Sequence, residues 1–61
     1  MRLVRSGHNV FEVHNRNVKV GRVWWYDGQW RGETNGGTPV EPSMDPERTG
    51  DLVVEAYRKQ G

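Results

Sequence analysis

The dipeptide Asp27-Gly28 is the feature of this sequence that most restricts the fold. It separates two runs rich in β-forming residues, residues 18–26 and residues 29–34. Asp-Gly favours a type I′ turn, because both of its residues tolerate the positive φ angles that this turn requires. The dipeptide therefore predicts a β-hairpin, and a hairpin commits this part of the chain to an antiparallel sheet.

A further strand is predicted before the hairpin. Residues 10–14 are rich in β-formers, and Phe11 and Val13 share one face because side chains alternate along a strand. Asn15-Arg16-Asn17 has the length of a hairpin connection, and asparagine tolerates the left-handed conformation that such a turn needs. Residues 18–26 then form the longest and most central strand.

Gly21 interrupts the alternation of the central strand, with Val18 and Val20 in one phase and Val23 and Trp25 in the other. A glycine inside a strand often marks a bulge, which would bring both pairs to the core side.

The flanking segments carry weaker signals. Residues 1–9 are expected to form a mobile or edge segment, and residues 38–42, which contain two prolines, are expected to form an extended crossover.

The C-terminal part predicts one helix. Asp45 is a good N-cap before Pro46, and Thr49 is the alternative N-cap after a separate turn. An i, i+1, i+4, i+5 spacing predicts a buried face made of Leu52, Val53, Ala56 and Tyr57. Gly50 is expected to cost about 1 kcal/mol relative to alanine. The predicted fold is α+β: a three-stranded antiparallel sheet packed on one C-terminal helix (ββ-β-α), with Trp30 buried against Leu52.

Length and composition limit the class of protein. The 61 residues predict one small domain over residues 1–61. The chain has no cysteine, which excludes disulfides and thiolate metal sites, and its two histidines lack a metal-ligand spacing. No catalytic motif is present, so we predict a non-catalytic protein without cofactor or metal. No apolar run has the length of a signal core or a membrane span, so we predict a complete cytoplasmic protein without a membrane partner.

The charges are unevenly distributed along the chain. Residues 1–38 carry six basic and three acidic side chains, whereas residues 39–61 carry three basic and five acidic side chains. The net charge of +1 argues against strong non-specific binding to nucleic acid. The distribution nevertheless predicts a basic sheet and a more acidic helical part.

Four residues are predicted to form a binding surface on the sheet. Trp24 and Trp25 must point to opposite faces, and we place Trp25 in the core with Trp30 because it is in phase with Val23. Trp24 then lies on the solvent face, where it can act as an anchor. Cations on the same two strands suit phosphates, so the predicted surface consists of Lys19, Arg22, Trp24 and Arg31, with Arg16 beside it.

Two alternatives to a functional surface are open at this point. Residues 1–5 or the crossover at residues 38–42 would cover Trp24, which would then be an ordinary packed side chain. Glu12 and Glu33 are expected on the same face as the cations and would neutralise them across the strands. The face would then be the solvated, mixed-charge surface that is usual for antiparallel sheets.

Short motifs carry a resemblance to known proteins. They are Phe11, Val20-Gly21-Arg22-Val23, Gly28-Gln29-Trp30-Arg31 and Val53-Val54-Glu55-Ala56-Tyr57. Over residues 10–57 the chain resembles short sheet-plus-helix proteins of actinobacteria and their phages, mostly of unknown function. It is also similar to two DNA-binding types, the arm-binding domain of phage and transposon integrases and the plant ethylene-response type. In both, the face of a three-stranded sheet enters the major groove, which implies contacts from Arg22, Trp24 and Arg31.

The sequence thus predicts a small binding module, an accessory protein of a phage or mobile element that binds nucleic acid through its sheet face. The alternative is a protein-interaction or inhibitor module that binds a host protein through Trp24 or the acidic side of the helix. A homodimer is a further alternative, because self-association would compensate for the small core.

Overall fold

The hairpin at Asp27-Gly28 is confirmed by the computed structural model, which describes residues 1–60. Asp27 and Gly28 have φ angles of 53° and 80°. The pair Tyr26–Gln29 closes the turn, so the strands run directly into it. Gly61, the last residue of the predicted domain, lies outside the described residues.

The protein is an antiparallel sheet of five strands with one C-terminal helix, so the predicted α+β class is confirmed. The elements are β1 (Arg2–Gly7), β2 (Val10–Asn15), β3 (Val18–Tyr26), β4 (Gln29–Thr34), β5 (Pro39–Ser43) and α1 (Pro46–Gln60). The strands lie in chain order, and each pairs with the next. The predicted number of three strands was too low, because β1 and β5 add one strand at each edge.

Both additional strands depend on pairing more than on local sequence. Of the two expectations for residues 1–9, the structure shows the edge segment, with β1 paired along β2. The predicted crossover is the other edge strand, β5, which contains Pro39 and Pro42. An edge strand tolerates proline, because one of its two sides has no neighbouring strand to which an amide must donate.

The bulge predicted at Gly21 is confirmed. Val13 pairs with Gly21 and His14 with Lys19, which leaves Val20 as the extra residue of β3. Val20 and Gly21 are both buried, but Val18, which was expected on the core side with Val20, is 48% exposed. The bulge therefore shifts the phase of β3, so that Val20 and the residues after Gly21 contribute to one core.

The helix packs on the sheet face that carries Gly21 and Gly32, which we call the covered face. A Cβ atom at Gly21 would collide with the Glu33 carbonyl oxygen and would lie 2.5 Å from Cγ1 of Val53. A Cβ atom at Gly32 would lie 2.9 Å from a methyl carbon of both Thr49 and Val53. The two glycines thus allow a close approach of helix and sheet around a small apolar core, which consists of Val13, Val20, Val23 and Val53.

The predicted N-cap of α1 at Asp45 is confirmed. The Glu47 amide donates to Oδ1 of Asp45 over 3.0 Å, and the helix continues without the break that a start at Thr49 would need. The Thr49 hydroxyl donates to the Trp30 carbonyl oxygen over 3.0 Å. Its oxygen also lies 2.7 Å from that of the Ser43 hydroxyl, which donates to the Asp45 carbonyl oxygen. These bonds fix the N-terminal part of α1 to β4 and β5.

The helix buries a face that differs from the prediction. Its buried residues are Thr49, Gly50 and Val53. Of the predicted face, Val53 is fully buried, as expected, and Ala56 is half-buried. Leu52 is only half-buried and Tyr57 is 37% exposed, so the prediction was wrong for these two residues. A Cβ atom at Gly50 would lie 3.1 Å from Cδ2 of Leu3 in β1. Gly50, which was expected only to weaken the helix, therefore also makes room for the edge strand.

Trp30 packs at one side of the valine core rather than in its middle. Its ring centroid lies 5.7 Å from that of Phe11 and 5.6 Å from that of Trp25. Trp25 is on the covered face, as predicted, but at the margin, where 39% of it is exposed. Trp30 and Leu52 are each only half-buried, so the prediction that they are buried together was wrong. The helix residue that belongs to the valine core is Val53, not Leu52.

Candidate functional site

The sheet face opposite α1, which we call the open face, carries the residues in the other phase of the strands. Strand pairing arranges its central part in three rows. The rows are Val4, Glu12, Arg22 and Glu33, then Val10, Trp24 and Arg31, and finally Tyr26 and Gln29. Three of the four predicted site residues, Arg22, Trp24 and Arg31, are therefore neighbours on one surface.

The other predicted cations lie further away. Lys19 is on the far side of the bulge, where it pairs with His14 and its Nζ lies 3.8 Å from Oε2 of Glu12. Arg16 is exposed in the turn between β2 and β3, with a φ angle of 54°. Lys19 thus shares the open face but lies two rows from Trp24, and Arg16 lies at the end of the sheet.

The aromatic rings of the open face are each paired with a guanidinium group. Cζ of Arg22 lies 5.2 Å from the ring centroid of Trp24, and Cζ of Arg31 lies 5.6 Å from that of Tyr26. These distances are those of cation–π contacts. Trp24 is half-buried, whereas 62% of Tyr26 is exposed. The result is a surface of alternating planar groups, which we call the stacked patch: Arg22, Trp24, Tyr26 and Arg31.

A hydrogen-bonded cluster adjoins the stacked patch. Nε2 of His14 donates to Oε1 of Glu12 over 2.9 Å, because an ionised carboxylate can only accept. This hydrogen bond, together with the nearby Lys19 ammonium, holds the pKa of Glu12 below its ordinary value of 4.5. Glu12 is therefore ionised at neutral pH and offsets the charge of Lys19.

The cations of the open face differ in their partners. Nη2 of Arg22 lies 3.2 Å from Oε2 of Glu33, as Lys19 lies beside Glu12. The predicted neutralisation across strands is thus confirmed for these two cations. Arg31 has no carboxylate partner within residues 1–60, and its Nε atom has no hydrogen-bond partner there. Of the two arginines in the stacked patch, Arg31 is therefore the one whose charge is not offset by a neighbouring carboxylate within residues 1–60.

Tyr26 belongs to the site, although it is not among the four residues predicted from the sequence. It is two residues from Trp24 on the same strand, so the alternation that placed Trp24 on the open face also places Tyr26 there. What the alternation could not reveal is that the Arg31 side chain lies against Tyr26. That contact depends on the register of β3 with β4.

Other kinds of site find less support. Within residues 1–60, no three His, Asp or Glu side chains are grouped closely enough to hold a metal ion. The helix of the same part of the chain is neither long enough nor apolar enough to cross a membrane. The stacked patch is thus the best-defined arrangement of chemical groups on the surface.

Fold and surface together define a class: a five-stranded antiparallel meander with a helix on one face and a stacked, mixed-charge patch on the other. No family model, no curated protein and no solved structure matches the chain. The resemblance to short phage proteins and to integrase-type sheets therefore stays a prediction.

Proposed function

We propose that this protein is a small, non-catalytic module that binds nucleic acid through the open face of its sheet. The observation that carries the proposal is the stacked patch, in which two guanidinium groups and two aromatic rings alternate on the face not covered by the helix. Guanidinium groups bind phosphates and stack on bases, and aromatic rings stack on bases, so both recognise nucleic acid.

The charges on the open face set the expected strength of binding. Lys19 and Arg22 are each beside a carboxylate, so a phosphate must compete with Glu12 or Glu33 for them. Arg31 has no such competitor among residues 1–60. We therefore expect weak to moderate binding that depends on a few phosphate contacts rather than on a broad basic surface.

The dependence of affinity on salt tests the proposal. Each phosphate neutralised by a cation releases counterions, so three cations predict a slope of about −2 to −3 in a plot of log affinity against log salt. Arg31→Ala should reduce that slope by about one unit. Arg58→Ala is the matched control, because Arg58 is an exposed arginine in the last turn of α1. Labelled DNA and RNA, single-stranded and duplex, are titrated by fluorescence anisotropy at several salt concentrations.

The alternative function is binding to a protein partner. Its support is that Lys19 and Arg22 are neutralised within the protein while Tyr26 is 62% exposed, and exposed aromatic residues are typical interface hot spots. If no nucleic acid binds more tightly than about 0.1 mM at low salt, the weak limit of non-specific binding, the nucleic-acid proposal is abandoned. Capture of host proteins with nuclease-treated extract, lost with Tyr26→Ser, would then support the alternative.

The same alternative includes self-association. Sedimentation of the purified protein over a range of concentrations separates a homodimer from a monomer, because a dimer's apparent mass falls on dilution. An origin in a phage or mobile element, and a cytoplasmic location, stay predictions from the sequence.

A further inference from the structure

We infer that the open face binds single-stranded rather than duplex nucleic acid, with two neighbouring bases stacked at Trp24 and Tyr26. The inference rests on the function proposed above and makes its ligand more specific. It differs from the prediction by resemblance, in which the sheet face enters the major groove of a duplex.

The spacing of the two aromatic residues supports this ligand. Trp24 and Tyr26 are two residues apart on one strand, so their Cα atoms are separated by roughly 6.5–7 Å along the strand. An extended single strand can place consecutive unstacked bases on groups so separated, and aromatic residues on sheet faces bind two or three unpaired bases in this way. In a duplex the flat faces of the bases are stacked on each other and cannot reach the rings.

The carboxylates of the open face argue against a duplex. Glu12 and Glu33 flank Arg22 in the row beside Trp24. A duplex pressed onto this face would bring phosphates on both sides of its groove toward these carboxylates, which would repel them. A single strand can turn its bases toward these carboxylates and hold its phosphates away from them, near Arg31. In that arrangement the carboxylates can contribute to binding, because they accept hydrogen bonds from the exocyclic amino group of a base.

The guanidinium groups complete the site for a single strand. Arg22 and Arg31 already lie against Trp24 and Tyr26, so the planar groups are ordered before the ligand arrives. Pre-ordering reduces the entropic cost of binding. Arg31, which has no carboxylate partner in residues 1–60, is the group that we expect to contact a phosphate between the two bases.

The inference is tested by comparing single-stranded and duplex nucleic acids of the same sequence. Single-stranded DNA and RNA about 10 nucleotides long, within the site sizes of such binders, are titrated alongside duplexes of the same length and sequence at low salt. We expect both single strands to bind at least about tenfold more tightly than either duplex. The comparison of DNA with RNA shows whether the 2′-hydroxyl contributes.

Matched variants show whether the bases stack where we expect. Trp24→Leu and Tyr26→Leu should each weaken single-strand binding about tenfold without changing the salt slope, because stacking releases no ions. Trp25→Leu, on the covered face, and Tyr57→Leu, on the helix, are the controls and should leave binding unchanged. Trp24→Phe keeps a ring and should retain most of the affinity.

The inference and the proposed function are contradicted by different results. Duplex binding equal to or tighter than single-strand binding would overturn the inference and leave the proposed function in place. Single-strand binding that is unaffected by Tyr26→Leu, an exposed position where folding is not at risk, would also overturn it. If no nucleic acid of any kind binds, the proposed function itself is wrong.

Discussion

The two faces of the sheet place the same kinds of residue in different positions. The covered face has valines at its centre and glycines where the helix lies closest, and its aromatic residues Trp25 and Trp30 stand at the margin. The open face has Trp24 in its middle row and Tyr26 beside the β3–β4 turn, each next to an arginine, and acidic residues in the row on the other side of Trp24. Large apolar side chains are therefore not restricted to the side that folds the protein.

This contrast indicates which aromatic residues are needed for stability. A valine core with glycine contacts suits a chain of 61 residues, because a close helix excludes water with small side chains. Trp24 and Tyr26 contribute no side chain to that core and remain at least partly in contact with solvent. Grouped aromatic residues that the core does not use are a common mark of a binding surface.

The largest expected effect compares one tryptophan from each face. Trp30→Ala should reduce the free energy of unfolding by about 3 kcal/mol, the lower end of the range for large aromatic residues, because the ring is half-buried. Trp24→Ala should cost about 1 kcal/mol, because Trp24, although also half-buried, is not among the residues packed against the valine core and loses mainly its contact with Arg22. Urea denaturation of both variants measures the difference. Equal losses would mean that the open face contributes to stability as much as the covered face does.

A smaller effect should follow when the space under the helix is filled. Gly21→Ala should destabilise by about 1–3 kcal/mol, because the added methyl meets the Glu33 carbonyl oxygen and the Val53 side chain. Gly36→Ala is the control: the nearest atom to its Cβ would be 3.8 Å away, and its φ angle is not positive. Its stability should stay within about 0.5 kcal/mol of the wild type. A Gly21→Ala variant as stable as Gly36→Ala would show that the helix can move away at little cost.

The central strands and the start of the helix could be predicted because their signals are local. Asp27-Gly28 determines its own turn, and Asp45 followed by Pro46 determines a helix start. The alternation around Gly21 was enough to place Trp24 and Trp25 on opposite faces. The edge strands have no such local signal: residues 1–9 were expected to be either mobile or an edge segment, and β5 was expected to be a crossover. Both are strands because they pair with β2 and β4.

The orientation of the helix was missed for a related reason. A search for apolar residues selects Leu52, Val53 and Tyr57, of which only Val53 is buried. The other buried positions of the helix are the small Thr49 and Gly50. Thr49 is buried because its hydroxyl bonds to the Trp30 carbonyl oxygen, and this partner is 19 residues away in the chain. Small and polar residues at a contact carry almost no signal in a hydrophobic pattern.

Most residues of the candidate site could be predicted from the sequence, but the contacts between their side chains could not. Alternation placed Arg22, Trp24 and Arg31 on one face, and it also predicts neutralisation by Glu12 and Glu33. The position of each guanidinium against a particular ring depends on register and side-chain rotamers, which the sequence does not show.

The smallest expected effect concerns the charges of the open face, where Glu12 accepts a hydrogen bond from His14. The pKa of Glu12 is lowered in the folded protein, so its ionised form is favoured by folding. This contribution should be present above about pH 4.5, the ordinary value, and should be lost as the pH falls through the lower folded value. The stability difference between wild type and Glu12→Gln, measured by urea midpoints, should therefore shrink in acid.

Removal of His14 should identify the cause of this pH dependence. The hydrogen bond from His14 is the largest contribution to the lowered pKa of Glu12, so in a His14→Ala background Glu12→Gln should alter the pH profile less. Carboxyl-carbon NMR gives an independent measurement, since it follows the titration of Glu12 directly. A Glu12 carboxyl that titrates at or above 4.5 would contradict the prediction, and it would mean that the cluster beside the stacked patch is not ordered in solution.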